Sequence, residues 1–284
     1  MSIAVVYLAS PRDWSHQKWT RLECLRASLK LLRKFAPPWP VIIFHENYRK
    51  EDEEFLRAVH PDITFSQVDF STHIHRYKPG YRDARVGTYG YGMMCRFFSG
   101  VMQVHPLLNP YTHYIRLDDD SYIQSPITPE IVQRILSNDY TYRCTFEDYS
   151  PSLWDYSIEF MRKNGLPVDP KLRTIATAPY TNYHSSSIRL WKHHVVREYL
   201  RGIEEQDGCI TKGWDDAIIQ GVIAKMICPV LGYGVHLENG FCYRHNQHCS
   251  HRPGHGHSEL CLDGNDEHHK GDINYQWGPP KSIC

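Results

Sequence analysis

Short apolar runs and longer amphipathic stretches take turns along most of the chain. IAVVYL at positions 3–8 is a continuous apolar run closed by Ser10 and Pro11, which predicts a buried first strand. Positions 16–35 carry Trp19, Leu22, Leu25, Leu29 and Leu32 at helical spacing. The prolines that follow end this helix, and VIIF at 41–44 starts a second strand. A polar helix at 51–59 and the alternating ITFSQVDF at 63–70 continue the pattern. Positions 71–90 have no period and read as a long loop; its surplus of His73, His75, Arg76, Tyr77, Lys78, Tyr81, Arg82 and Arg85 suits phosphate and sugar contacts. A helix is predicted over 91–105, and a strand over THYIRLDDD at 112–120. A helix follows at 128–138, with Thr128 as N-cap and Pro129 in the first turn. Further strands are predicted at 140–148 and 181–191, and further helices at 152–165, 192–205 and 213–227. From Pro229 on, strands are short and turns dominate. The strand–helix alternation predicts an α/β fold with an open sheet.

The strand at 112–120 ends on three adjacent aspartates, Asp118, Asp119 and Asp120. Crowding like charges is costly unless something positive sits among them. Strand alternation puts Asp118 and Asp120 on one side and Asp119 on the other. In an open α/β sheet, ligands bind at the carboxyl ends of strands, and oxygen ligands there suit Mg²⁺ or Mn²⁺. Such an ion could hold the diphosphate of a nucleotide-sugar and neutralise it as it leaves. An acidic turn in solvent explains an isolated triplet equally well. An EF-hand does not fit, because the glycine and glutamate its loop needs are missing. A metal-dependent phosphatase is a competitor, although its D-x-D more naturally follows the first strand of its fold.

Composition narrows the field. Lys plus Arg total 32 and Asp plus Glu total 32, so there is no basic excess for binding nucleic acid. No run is long enough to span a membrane, and the first residues lack the basic region of a signal peptide. As written, the chain reads as soluble and cytoplasmic. The odd count of 9 cysteines agrees with a reducing compartment. Cys24, Cys95 and Cys228 read as core thiols. The tail around Cys242, Cys249, Cys261 and Cys284 is rich in histidine, but its spacing fits no standard zinc finger.

YGMMCRFFSGVMQVHPLLNPYTHYIRLDDDSYIQSPI, beginning at Tyr91, resembles the signature of the fungal α-1,2-mannosyltransferases, glycosyltransferase family 15. The matching positions are Tyr91, Met94, Cys95, Arg96, Phe97, Ser99, Gly100, His105, Pro106, Leu107, Leu108 and Arg116, and the family's Glu-Pro-Asp falls on Asp118, Asp119 and Asp120. Later stretches are similar to the family's Leu-Trp helix at Leu153 and Trp154, its Trp-Ser-Asn-Phe-Glu strand at Asn182 and Tyr183, its Arg-Trp-Gly-Asp-Ala helix at Asp216 and Ala217, and its Gly-Tyr-His-His turn at GFCYRH.

The resemblance implies a single GT-A domain over 1–245, with a His/Cys-rich tail at 246–284 packed on it. It implies a retaining, metal-dependent transferase that takes a sugar from a nucleotide-sugar, GDP-mannose in the family, to a glycan hydroxyl. Asp118, Asp120 and His245 would hold Mn²⁺ (or Mg²⁺), with His236 as a spare. Leu8, Ala9 and Arg12, after the first strand, would lie by the nucleotide, with Tyr91 and Arg96 also on the donor side. Trp154 would stack on the acceptor or pack in the core. Family members are Golgi-lumenal, and their tail cysteines form disulfides; zinc and free thiols stay open for this chain. One position departs from the pattern: the family's glutamate near the reacting carbon is His184 here, and imidazole cannot supply a carboxylate's charge. Either no nucleophile is needed or another acid serves, with Asp216 and Asp215 nearest in motif order. Asp216 also opens a helix, where capping is its other expected duty. A sugar-binding protein that kept the fold and lost catalysis is the alternative from another class.

Overall fold

The structure, a computed structural model, describes residues 2–10, 20–76, 89–147, 150–168 and 177–245. The first apolar run forms β1 (Ile3–Ala9). Its Ala4 and Val6 enter one apolar layer, and its Ile3, Val5 and Tyr7 enter another, so both faces are buried. Helix α1 (Arg21–Phe35) starts at a capping box: Glu23 N–H donates to the Thr20 hydroxyl (3.1 Å), and Thr20 N–H donates to the Glu23 carboxylate (2.8 Å). Positions 16–19 of the predicted helix lie outside the described residues.

Then follow β2 (Val41–His45), α2 (Lys50–Arg57), β3 (Ile63–Gln67), α3 (Tyr89–Arg96), β4 (His113–Asp118), β5 (Ser121–Ile123) and α4 (Pro129–Ser137). The second half holds β6 (Tyr140–Tyr142), β7 (Thr145–Glu147), α5 (Pro151–Lys163), β8 (Thr177–Pro179), β9 (Tyr183–Ser187), α6 (Ile188–Lys192), α7 (His194–Glu205), α8 (Gly208–Thr211), α9 (Asp216–Val222), β10 (Val235–Leu237) and β11 (Tyr243–His245).

Among the described residues a seven-stranded sheet runs in the order β10-β6-β9-β4-β1-β2-β3. β1 is parallel to β2 and β4, while β9 is antiparallel to both its neighbours, β4 and β6. Helices cover both faces. Leu25 and Leu29 of α1 and Ile131 and Ile135 of α4 pack with one layer; Ile188 of α6, Val196 of α7 and Ile219 of α9 pack with the other. This is the α/β class and the open sheet that the sequence predicts, and the antiparallel β9 makes the sheet mixed.

Several boundaries differ from the sequence reading. The helix predicted over 91–105 is broken at Ser99 and Gly100, where Gly100 has φ +126° and Leu200 stands 3.0 Å from where a Cβ would be. The strand predicted over 112–120 stops at Asp118, and Asp119 and Asp120 form a turn into β5. The predicted strand at 140–148 is two strands, β6 and β7, in different sheets. At 181–191 the strand lasts only to Ser187, whose side chain caps α6. Within 71–90, Ser71–Arg76 is a 3-10 helix, and positions 77–88 lie outside the described residues.

Candidate active site

The triplet sits where the sheet ends. Asp118 is the last residue of β4 and lies in register with Leu8 of β1. After the turn, β5 pairs antiparallel with β11, which sets His245 opposite Ser121. Asp118, Asp120 and His245 thereby converge, with one ligand atom from each inside 4.8 Å of the others. His245 Nε2 is 2.9 Å from Asp120 Oδ1 and 3.7 Å from Asp118 Oδ2. Tyr180 Oη approaches the other ring nitrogen, Nδ1, at 3.4 Å. Asp118 keeps some exposure at the mouth, while Asp120 and His245 are buried.

Each acid of the triplet has a basic neighbour. Asp119 points away from the cluster to Arg21, whose Nε donates at 2.7 Å and whose Nη2 also pairs with it. Burial raises the Asp119 carboxyl above its usual range; Arg21 opposes this and Asp120 adds to it. Burial would raise Asp120 too, but the charge and hydrogen bond of His245 prevail and hold it below its usual range. Sequence reasoning missed Arg21, yet a signal was present. The capping box fixes Thr20 as N-cap, so Arg21 falls in the first turn, where the helix dipole disfavours a cation unless an acid compensates.

A second residue, noted only as a motif match, holds the site together. Arg116 on β4 donates to Asp118 Oδ1 from Nε (3.3 Å) and Nη2 (3.1 Å), and its Nη1 pairs with Asp216. Asp216 Oδ2 also accepts from the Thr181 hydroxyl at 2.9 Å. Asp216 is therefore the buried counter-ion of Arg116, and it does not cap α9 as its place at the helix start suggests. The cap of α9 is Asp215, whose Oδ1 accepts from Ile218 N–H at 2.9 Å; this uses the Asp215 carboxylate structurally.

His184 lies deep in the sheet. It is fully buried on β9, opposite Arg116, with its ring stacked on Tyr140 at 5.3 Å. Its Nε2 meets Tyr114 Oη at 3.1 Å and its Nδ1 meets the Thr181 carbonyl at 3.2 Å. Burial, with the Arg116 charge beside it, lowers its pKa to about 3. The imidazole is thus neutral and enclosed.

Arg96 is held in an ion pair. Its guanidinium is held by Glu204 of α7, with Nε at 2.8 Å and Nη2 at 2.7 Å. The start of the basic segment is paired likewise, His73 with Glu204 and Arg76 with Asp207. Tyr91 packs, half-buried, against the core, as does Trp154 from α5, which is buried. Leu8 and Ala9 close β1 beside Asp118, and Arg12 lies outside the described residues. His236 on the edge strand β10 faces Glu238 at 3.7 Å and is not part of the cluster.

Residues 60–269 match the family described as glycolipid 2-alpha-mannosyltransferase. The chain belongs to this family. The Saccharomyces cerevisiae glycolipid 2-alpha-mannosyltransferase is 25% identical over 229 residues, covering 70% of this chain and 52% of that protein. The O-glycoside alpha-1,2-mannosyltransferase omh1 of Schizosaccharomyces pombe is 25% identical, covering 60% of this chain and 45% of that protein. The chain thus spans about half the length of these curated relatives. Among solved structures, core-mannan synthase A of Aspergillus fumigatus in a Mn/GDP form superposes with a TM-score of 0.67 at 17% identity, over 86% of this chain and 74% of that one. These likenesses agree with the GT-A fold. No helix among the described residues is long and apolar enough to cross a membrane.

The donor set of this mannosyltransferase-family site fits a divalent metal. Two carboxylates and one imidazole are the mixed oxygen and nitrogen ligands that Mn²⁺ accepts. Asp118 and Asp120 supply the negative charge, and Tyr180 stands behind the imidazole, where an outer partner orients a metal-binding histidine.

Proposed function

We propose that this chain transfers a sugar, with mannose from GDP-mannose as the leading donor, onto a hydroxyl of a glycan with retention of configuration. The observation that carries this is the convergence of Asp118, Asp120 and His245 at the carboxyl end of β4, beside the end of β1. Metal-held diphosphates in an α/β sheet sit at this edge. Relatives crystallised with Mn and GDP, or with GDP, support the choice of cofactor and nucleotide.

Asp118, Asp120 and His245 would hold Mn²⁺ or Mg²⁺, which when bound supplies charge to offset the leaving diphosphate. The residues themselves then have positioning work. The end of β1 at Leu8 and Ala9 borders the nucleotide, and Arg116 and Arg21 keep the acids apart in fixed orientations. With His184 enclosed and Asp216 tied to Arg116, no carboxylate is assigned as nucleophile. The reaction proposed is front-face substitution. The bond from the anomeric carbon to the phosphate oxygen breaks, the acceptor oxygen bonds on the same face, and its proton passes to the departing diphosphate.

A sugar-binding protein without turnover is the second reading, favoured by the histidine at position 184. A panel of GDP- and UDP-sugars with Mn²⁺ separates the two. Slow hydrolysis of one donor, and transfer when a glycan acceptor is added, supports the transferase. Donor binding with no hydrolysis and no transfer overturns it.

A further inference from the structure

We propose that Arg116 is a positioning residue that removes one oxygen of Asp118 from coordination, so that Asp118 offers a dication Oδ2 alone. The inference rests on the reading of Asp118, Asp120 and His245 as metal ligands.

The two oxygens of Asp118 have different surroundings. Oδ1 accepts from Arg116 Nε at 3.3 Å and Nη2 at 3.1 Å, while Oδ2 is the oxygen that faces His245, at 3.7 Å. Arg116 is placed for this by the strand: two residues before Asp118 on β4, it projects to the same face. The guanidinium is itself clamped. Nη1 pairs with Asp216, Asp216 accepts from Thr181, and the ring of Phe98 lies 3.4 Å from the guanidinium carbon. The side chain is 3% exposed, so it cannot swing into water without giving up this packing. A planar fork fixed on three sides holds a carboxylate in one orientation, which a flexible ammonium would not do.

One-oxygen coordination has a consequence for ion choice. Ca²⁺ takes six to eight oxygens and readily uses both oxygens of a carboxylate, whereas Mg²⁺ demands a compact octahedron. A site that withholds Asp118 Oδ1 is short of ligands for Ca²⁺ but loses nothing for Mn²⁺ or Mg²⁺. Arg116 thereby serves selectivity as well as geometry, and Asp216 serves it by anchoring Arg116.

The test compares Mn²⁺ and Ca²⁺ affinities of the whole protein by calorimetric titration. The double variant Arg116→Gln/Asp216→Asn removes both partners, which avoids stranding a buried charge. Its Mn²⁺-over-Ca²⁺ preference is expected to fall about tenfold, the low end of what loss of a ligand's outer partner does to metal affinity, since both oxygens of Asp118 become usable. Arg116→Lys keeps the charge without the fork and is expected to fall between the two; it carries the comparison alone if the double variant does not fold. A folded variant with the wild-type preference overturns the role of Arg116 and leaves the metal site standing. Failure of the unaltered protein to bind Mn²⁺ overturns the metal site and this inference with it.

Discussion

His245 Nε2 lies 2.9 Å from Asp120 Oδ1, and the two residues reach each other across the antiparallel pairing of β5 with β11. Burial alone would lower the pKa of this histidine, but the charge and hydrogen bond of Asp120, together with Asp118, raise it above its ordinary 6.5. A metal-bound imidazole must be neutral, so a dication has to displace that proton. The sign follows: the proton-bound form prevails below the raised pKa, and metal affinity falls as pH drops through it. Mn²⁺ titrations between about pH 6 and about pH 9 should show affinity rising up to about tenfold per unit and then levelling. An affinity independent of pH over that span counts against His245 as a ligand.

Asp118→Asn should nearly abolish transfer while the protein stays folded, because Asp118 is the most exposed of the three proposed ligands. Losing a ligand of a diphosphate-bridging ion costs several kcal/mol, about three orders of magnitude in rate. Asp120→Asn should cost as much activity and some stability besides, since it is buried against His245. Steady-state turnover and melting temperature of each variant check this, and full activity in excess chelator would refute the metal role.

The acids of the site were legible because they stand at the end of a periodic strand, and their grouping survived a wrong boundary. The strand stops at Asp118, and it is the turn, not continued alternation, that separates Asp119 from its neighbours. His245 was legible only through the resemblance; nothing in its local sequence tells that β11 will lie beside β5. Arg96 and His184 show the limit from the other side. Both match or replace motif positions, but a side chain's direction depends on partners far along the chain: Glu204 for Arg96, and Tyr114 and Tyr140 for His184. The broken helix at Gly100 was hidden for the same reason, since its apolar spacing continues across a backbone that turns against Leu200.

Asp139 should be an acid-sensitive fastener of the sheet. It accepts from Arg189 at 2.7 and 2.8 Å, from the Ser187 hydroxyl at 2.7 Å and from Gly234 N–H at 3.2 Å, joining the start of β6 to the end of β9 and the approach to β10. Burial would raise its pKa, but the hydrogen bonds from Arg189 and Ser187 prevail and lower it below 3.8. With the folded value depressed, the stabilisation is complete above the unfolded value and is lost as pH falls through the folded one. Asp139→Asn should cost about 1 to 2 kcal/mol at neutral pH, toward the low end because Arg189 is largely in water. The gap in melting temperature between wild type and variant should close below about pH 4. A gap that persists in acid would place the effect in packing rather than charge.

His184 distinguishes a structural histidine from a chemical one. It occupies the position where the family pattern has an acid, yet it is buried between Tyr114, Tyr140 and the Thr181 carbonyl. His184→Ala should therefore destabilise the protein by about 2 to 4 kcal/mol, from the cavity and from the unpaired carbonyl and hydroxyl left behind. His184→Gln can offer a donor and an acceptor in nearly the same place and should recover most of that loss. If the residue is structural, the folded His184→Gln protein keeps turnover within about tenfold of wild type, below what a general acid or base supplies. A His184→Gln protein that melts like wild type but has lost transfer as completely as Asp118→Asn would mean that the imidazole reaches the reaction in a conformation where this pocket opens. The front-face route, which needs nothing from position 184, would then have to be abandoned.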